Sequence, residues 1–191
     1  YGLIGAVEEV TAEEYRPMFE TNLFGLIETT RAALPLLRER KGRIVQFSSS
    51  LGMCGRAGFG LYSAAKFAVE GLSEALAAEV EPLGMHVLIV EPGAFRTDFL
   101  DRSIAVAANS VEAYAATAGA VRTAALANNG HQEGDPKRGG AAILAALDSD
   151  TPPLRLALGR DSYRNNRGKI ARVTADYEAW AAVGTATGFA A

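Results

Sequence analysis

The chain has 191 residues and a formal net charge of −3, from 19 Lys and Arg against 22 Asp and Glu. That length fits one domain with a sizeable core, and 49% hydrophobic with 21% charged residues fits a globular protein. Mild acidity and scattered basic residues argue against a nucleic-acid or anionic-membrane surface.

Cys54 is the only cysteine, so no internal disulfide is possible, which fits a reducing cytoplasm. No well-placed histidine stands near Cys54 in sequence, and it reads as a passive thiol. No apolar run reaches transmembrane length, and no signal-peptide pattern opens the chain. The first residue is Tyr1 rather than Met, so the sequence is expected to begin inside a longer gene product.

Thr11 and Glu14 form a capping-box pattern that starts a helix. Its apolar positions, among them Leu23, Leu26, Leu34 and Leu37, extend it to about Arg40. Pro17 and Pro35 predict local bends, and Lys41-Gly42 stops it. Arg43 to Phe47 reads as a short buried strand, followed by a Ser- and Gly-rich loop from Ser48 to Gly60. A second helix is expected from Leu61 to Glu81, ended by Pro82 and Gly84. His86 to Glu91 is a second buried strand, closed by Pro92-Gly93.

From Ala94 to Asp135 the pattern weakens into short helical stretches. Asp135-Pro136 opens a helix to about Leu147, a third strand runs from Leu154 to Leu158, and a helix covers Asp161 to Trp180. The last residues, through Ala191, look loose. Alternating strands and helices predict one α/β domain with a parallel sheet. Three strands are few for such a sheet, so further strands are expected upstream of Tyr1.

Tyr62 and Lys66 stand at i and i+4 on one helix face. An ammonium beside a phenol favours the phenolate and lowers its pKa, and a tuned tyrosine exchanges a proton with a substrate oxygen. Tyr-x-x-x-Lys alone describes many ordinary amphipathic helices. Ser49 changes the weighing: it stands thirteen residues earlier, where a strand ends and a loop begins. Open α/β sheets bind ligands outside the carboxyl ends of their strands. A serine hydroxyl there donates to a carbonyl, whereas Ser48 and Ser50 are as easily turn-capping residues. His86 and His131 have no metal-ligand spacing with each other or with Cys54, so no metal is expected.

With Asn22-Leu23-Phe24-Gly25, Ser48-Ser49-Ser50-Leu51-Gly52, Tyr62-x-x-x-Lys66 and Pro92-Gly93-x-x-x-Thr97 in this order and spacing, the chain resembles the short-chain dehydrogenase/reductase family. The resemblance is firmest from Tyr1 to Asp98. It implies a Rossmann-like, doubly wound sheet whose N-terminal, cofactor-holding half lies outside this sequence. It also implies an NAD(P)-dependent oxidoreductase that interconverts an alcohol and a ketone or aldehyde, with a lean toward NADP(H). Tyr62 is then the acid/base, and Lys66 lowers its pKa and holds the cofactor ribose. Ser49 orients the carbonyl, and Asn22 interrupts the first helix and holds a water leading from Lys66. Pro92 and Gly93 shape the loop under the nicotinamide, and Thr97 contacts its carboxamide or the phosphates.

The segment 94–135 corresponds to the family's substrate-covering region. There Phe95 and Phe99, with Ile104, Val106 and Tyr114, either line an apolar pocket or form the core of the segment. The family also implies a homodimer or homotetramer built through the two long helices. The alternative is a family-like fold that senses cofactor or a partner, or an inactive fragment.

Overall fold

A computed structural model of the chain describes residues 1–189. It contains two parallel sheets, one of three strands and one of two. In the larger sheet β2 (Arg43–Phe47), β3 (His86–Pro92) and β5 (Arg155–Leu158) lie in that order, all parallel. The chain therefore crosses over twice, each time through helices. This is a Rossmann-like α/β arrangement, as expected from the alternation of elements.

Alternation along β3 makes the layers. Val87 and Ile89 point to one face, where Leu76 and Val80 of α3 (Gly60–Val80) and Leu34 and Leu37 of α2 (Gly25–Glu39) cover them. Leu88 and Val90 point to the other, under Ala142, Ile143 and Leu147 of α5 (Pro136–Leu147). These four β3 residues are essentially inaccessible to water, which is why their segment reads as a continuous apolar run.

The first helix begins as the capping box requires, with the Glu14 carboxylate accepting from the Thr11 N–H at 2.8 Å. Pro17 is accommodated inside α1 (Ala12–Phe19) and Pro35 inside α2. Between these two helices Glu20–Phe24 forms a single π-helical turn around Asn22. Such turns insert one residue into a helix and recur at functional sites.

Asp135 caps α5 by accepting from the Lys137 N–H at 2.8 Å, with Pro136 in the first turn. The last helix, α6 (Arg160–Thr185), runs five residues beyond the expected Trp180. Ala190 and Ala191, at the end of the stretch read as loose, lie outside the described residues.

The second sheet departs from the three-strand expectation. β1 (Gly2–Ile4) pairs in parallel with β4 (Ile104–Val106), about a hundred residues away in sequence. Each strand has three residues, too few to show a period, and β4 sits in the weakly patterned segment. Gly2 packs closely there: a Cβ would meet the tips of the Ile104 and Phe99 side chains. No helix among the described residues is long and apolar enough to cross a membrane.

Candidate active site

Where β2 ends, the backbone turns at Ser48, Ser49 and Ser50 toward the start of α3. All three serines are buried. They do different work, because successive side chains leave an extended strand end in alternate directions. Ser48 turns inward: its hydroxyl reaches the Lys66 carbonyl oxygen at 3.5 Å, and a Cβ on Gly52 would run into it. The Ser49 hydroxyl accepts from the Leu51 N–H at 3.1 Å, capping a short 3-10 turn, and faces the Tyr62 phenol.

Tyr62 lies in the first turn of α3, packed edge-on against Phe59 and tilted against Phe99, with ring centroids 6.2 and 5.7 Å apart. Burial between these rings pushes its phenol up to about 12, because the phenolate loses its hydration; hydrogen bonding with Ser49 pulls weakly the other way.

Lys66 lies one turn on. Its ammonium donates to the Phe47 carbonyl at 2.8 Å and stands 5.8 Å from the Tyr62 ring centroid. Burial lowers the amine to about 8, and Glu70 one turn further on opposes the shift. No influence of Lys66 on the Tyr62 phenol is resolved in this structure. Desolvation dominates both groups, and the ammonium is turned toward a backbone carbonyl.

Ser49, Tyr62, Pro92, Gly93, Phe95, Thr97 and Phe99 line one cleft of about 470 Å³ at the carboxyl ends of β2 and β3. Open α/β folds bind ligands at this position. Gly93 has no room for a side chain, since a Cβ would strike the Asp161 carboxylate. Asp161 accepts from the Ala94 N–H at 2.8 Å and lines the cleft too. Thr97 caps the next 3-10 turn, its hydroxyl accepting from the Phe99 N–H at 3.3 Å.

Asn22 and Lys66 do not reach this cleft. They meet in a neighbouring recess with Thr29, Gln46 and Phe47. The Asn22 amide is taken up by the Tyr1 backbone: its nitrogen donates to the Tyr1 carbonyl at 2.6 Å, and its oxygen accepts from the Tyr1 backbone nitrogen at 2.9 Å.

Of the five apolar residues named in the segment 94–135, Phe95 and Phe99 line the cleft. Phe95 also packs with the core under α5. Ile104 and Val106 are committed to pairing with β1, and the Tyr114 hydroxyl donates to Glu8 at 2.6 Å, so these three form the segment's framework instead.

Sequence reasoning missed Asn128, Gln132 and Asp161, which also line the cleft. They come from the weakly patterned segment and from the start of α6, and no spacing relates them to Ser49 or Tyr62. Among the described residues no group of three His, Cys, Asp or Glu side chains is placed to hold a metal ion. Cys54 is partly buried, with the Arg172 guanidinium 3.6 Å from its sulfur.

A fungal oxidoreductase of Botryotinia fuckeliana is 37% identical over 94% of this chain, which spans 66% of that protein. A 3-ketodihydrosphingosine reductase of Bacteroides thetaiotaomicron is 40% identical over 83% of the chain, which spans 59% of it. The chain thus spans two thirds or less of these relatives' length. The crystal structure of a short-chain dehydrogenase from Streptomyces avermitilis superposes with a TM-score of 0.90 at 44% identity, covering 98% of this chain and 68% of that one. The short chain dehydrogenase family profile matches residues 2–108, more than half of the sequence and the part holding Asn22, Ser49, Tyr62, Lys66 and Pro92-Gly93-x-x-x-Thr97. The chain belongs to the short-chain dehydrogenase family.

Proposed function

We propose that the full protein is an NAD(P)-dependent oxidoreductase that interconverts an alcohol with a ketone or aldehyde at the Ser49–Tyr62 cleft. The observation that carries this reading is the convergence of the Ser49 hydroxyl and the Tyr62 phenol on the wall of a 470 Å³ cleft that also holds Pro92, Gly93 and Thr97.

The residues present fit the nicotinamide end of such a cofactor. The cleft mixes apolar wall with a few convergent polar groups. The Pro92-Gly93 turn leaves no side chain between its backbone and Asp161. Lys66 stands beside the cleft as a hydroxyl-binding cation for the ribose. A bound nicotinamide supplies the hydride for reduction or takes it up in oxidation.

The protein's own part is orientation and proton transfer. Ser49 donates to the substrate carbonyl oxygen and steadies its developing charge. Tyr62, kept un-ionised by burial, donates its proton to that oxygen during reduction. Oxidation needs the phenolate, so it should accelerate as pH rises toward 12, while reduction keeps its proton donor through neutral pH. The helix opening at Asn22, next to Lys66 in the recess, supports the proton path to solvent that the family resemblance implies. The segment 94–135 covers the substrate, with Phe95 and Phe99 as its apolar contacts.

The reading carries a lean toward NADP(H), a cytoplasmic location and a homodimer or homotetramer. Exposed Phe24 at the start of α2 and Phe67 on α3 support an assembly through the long helices. The test is an activity screen of the full-length protein with NADH and NADPH against a panel of ketones and aldehydes. Turnover of at least one carbonyl by the wild type, lowered by about 10²–10⁴-fold in Tyr62→Phe, supports the reading. Tight cofactor binding with no turnover of any carbonyl would favour a cofactor-sensing protein instead.

A further inference from the structure

Asp161 is the one acidic side chain among the described residues that line the cleft, and Arg56 is the one basic side chain. One Asp161 carboxylate oxygen accepts from the Ala94 N–H at 2.8 Å. The other has no hydrogen-bond partner among the described residues, and it is not enclosed by them, since Asp161 is only partly buried. No salt bridge among the described residues takes up the carboxylate either. Its charge is therefore neither paired with a cation nor shut away from the cleft.

The carboxylate is fixed beside the Pro92-Gly93 turn. Gly159, at a φ of 94°, swings the chain from β5 into α6. The Ser162 hydroxyl then donates to the Glu91 carbonyl at 2.6 Å, and the Asn166 amide donates to the Glu91 carboxylate at 2.5 Å. From the other direction the Gly93 N–H donates to the Leu158 carbonyl at 2.8 Å. With the start of α6 held against the turn in this way, Asp161 fills the space that a Gly93 side chain would take. A carboxylate in the first turn of a helix complements the helix dipole, which is reason enough for an acidic residue there. It does not account for the open oxygen or for the cleared space at Gly93. A charged group whose position is set by its neighbours before any ligand arrives is pre-organised to act on one.

We propose that the Asp161 carboxylate makes the cleft favour the oxidised, positively charged nicotinamide ring over the reduced, neutral one. The inference rests on the reading of the cleft as the nicotinamide site of an oxidoreductase. In carbonyl reduction a hydride leaves the reduced ring with both electrons of its bond and joins the carbonyl carbon. The oxygen takes the Tyr62 proton, and the ring is left one unit more positive. A fixed negative charge steadies that positive ring and leaves the neutral ring nearly unaffected. It does so more strongly in a cleft walled by Phe59, Phe95 and Phe99 than in water. By linkage, a site that binds the oxidised form more tightly makes the bound reduced form a stronger hydride donor. Asp161 thus biases the site toward reduction of carbonyls.

Asp161→Asn keeps an oxygen for the Ala94 N–H and removes the charge; Asp161→Ser does the same with a shorter side chain and serves if the asparagine variant folds poorly. Dissociation constants of NADP⁺ and NADPH, and of NAD⁺ and NADH, are measured by titration of the full-length protein at neutral pH. The oxidised and reduced forms of one cofactor carry the same phosphates and ribose hydroxyls, so the ratio of their constants isolates the charge of the ring. The variant should weaken binding of the oxidised form by roughly three- to thirty-fold relative to the reduced form.

An equal loss for both forms would overturn the proposal and leave Asp161 an anchor of the turn, and unchanged affinity for both would overturn it too. Failure of the functional reading looks different: the wild type would then bind neither form of either cofactor. Wild-type binding with a ratio that the variant leaves unaltered removes this inference alone.

Discussion

On one side of the cleft, Ser49 and Tyr62 are held by a strand end and by the first turn of a 21-residue helix packed across the sheet. On the other, Phe95, Thr97, Asn128 and Gln132 hang on 3-10 and π turns, a three-residue strand and one eight-residue helix. The second side is secured from a distance by carboxylates before and within the first helix. Glu9, fully buried, accepts from the Ala6 and Val111 N–H groups at 2.7 and 2.9 Å, and Glu14 accepts from the Ala108 N–H at 2.8 Å. The difference separates chemistry from selectivity. On the proposed reading the proton-transfer groups sit on regular elements, and the groups that would choose a ligand sit on irregular ones, joined to Tyr62 through Phe99.

The sharpest way to break this comparison is at the catalytic side. Tyr62→Phe keeps the packing against Phe59 and Phe99 but removes the proton, and turnover should fall by about 10²–10⁴-fold. Ser49→Ala should cost on the order of 10²–10³-fold, well above Ser50→Ala. The Ser49/Tyr62 double variant should be little worse than Tyr62→Phe alone, because both hydroxyls serve one oxygen. Multiplying effects in steady-state assays would show that they act on different steps.

Lys66→Met should act through pH. Its amine is lowered to about 8, so its positive charge fades as pH rises through that value. Wild-type NADPH affinity should weaken several-fold across pH 8, on the scale of one lost charged hydrogen bond. The methionine variant should bind weakly and show no such step. A step at pH 8 that persists in titrations of Lys66→Met would assign it to another group.

On the covering side, Glu9→Gln should raise KM while leaving kcat nearly unchanged, since it loosens the segment and touches no reacting atom. Backbone N–H groups of Val111 and Ala6 hold the Glu9 carboxyl below its usual range. Its stabilising contribution is therefore complete above the ordinary carboxylate pKa and is lost as pH falls through the depressed value. A fall in kcat as large as the rise in KM would show that the two sides are not separable.

The smallest effect concerns the joint between them. Glu91, next to last in β3, precedes Pro92-Gly93 and anchors α6, its carboxylate accepting from Asn166 at 2.5 Å and its carbonyl from the Ser162 hydroxyl at 2.6 Å. Burial and the neighbouring Glu70 carboxylate raise its pKa to about 7, against the pull of Arg155. A raised carboxyl holds a proton in the folded state that the unfolded state has released, so stability should fall as pH rises from about 4.5 to about 7. Glu91→Gln should flatten that slope. Thermal melts across this range check it; an unchanged slope would place the titration elsewhere.

The catalytic side was legible in the sequence because each of its parts follows a local rule. Thr11 and Glu14 mark a helix start, Arg43–Phe47 and His86–Glu91 are continuous apolar runs, and Tyr62 and Lys66 share a helix face. The π turn at Asn22 was anticipated only as an interruption, through the resemblance. The covering side was not legible for the opposite reason. β4 exists because Gly2–Ile4 is there to pair with it, and Asp161 reaches the cleft from 67 residues beyond Ala94. Contacts so distant leave no periodicity. A spacing of four residues gives proximity of Tyr62 to Lys66 but neither the burial of the phenol nor the direction of the ammonium.

The most direct test of the account is single-turnover hydride transfer from NADPH to an accepted ketone by the full-length protein, wild type against Tyr62→Phe, with cofactor affinity measured on the same samples. The account predicts unchanged NADPH binding and transfer slowed by about 10²–10⁴-fold. Transfer at the wild-type rate in Tyr62→Phe, with cofactor bound, would contradict it.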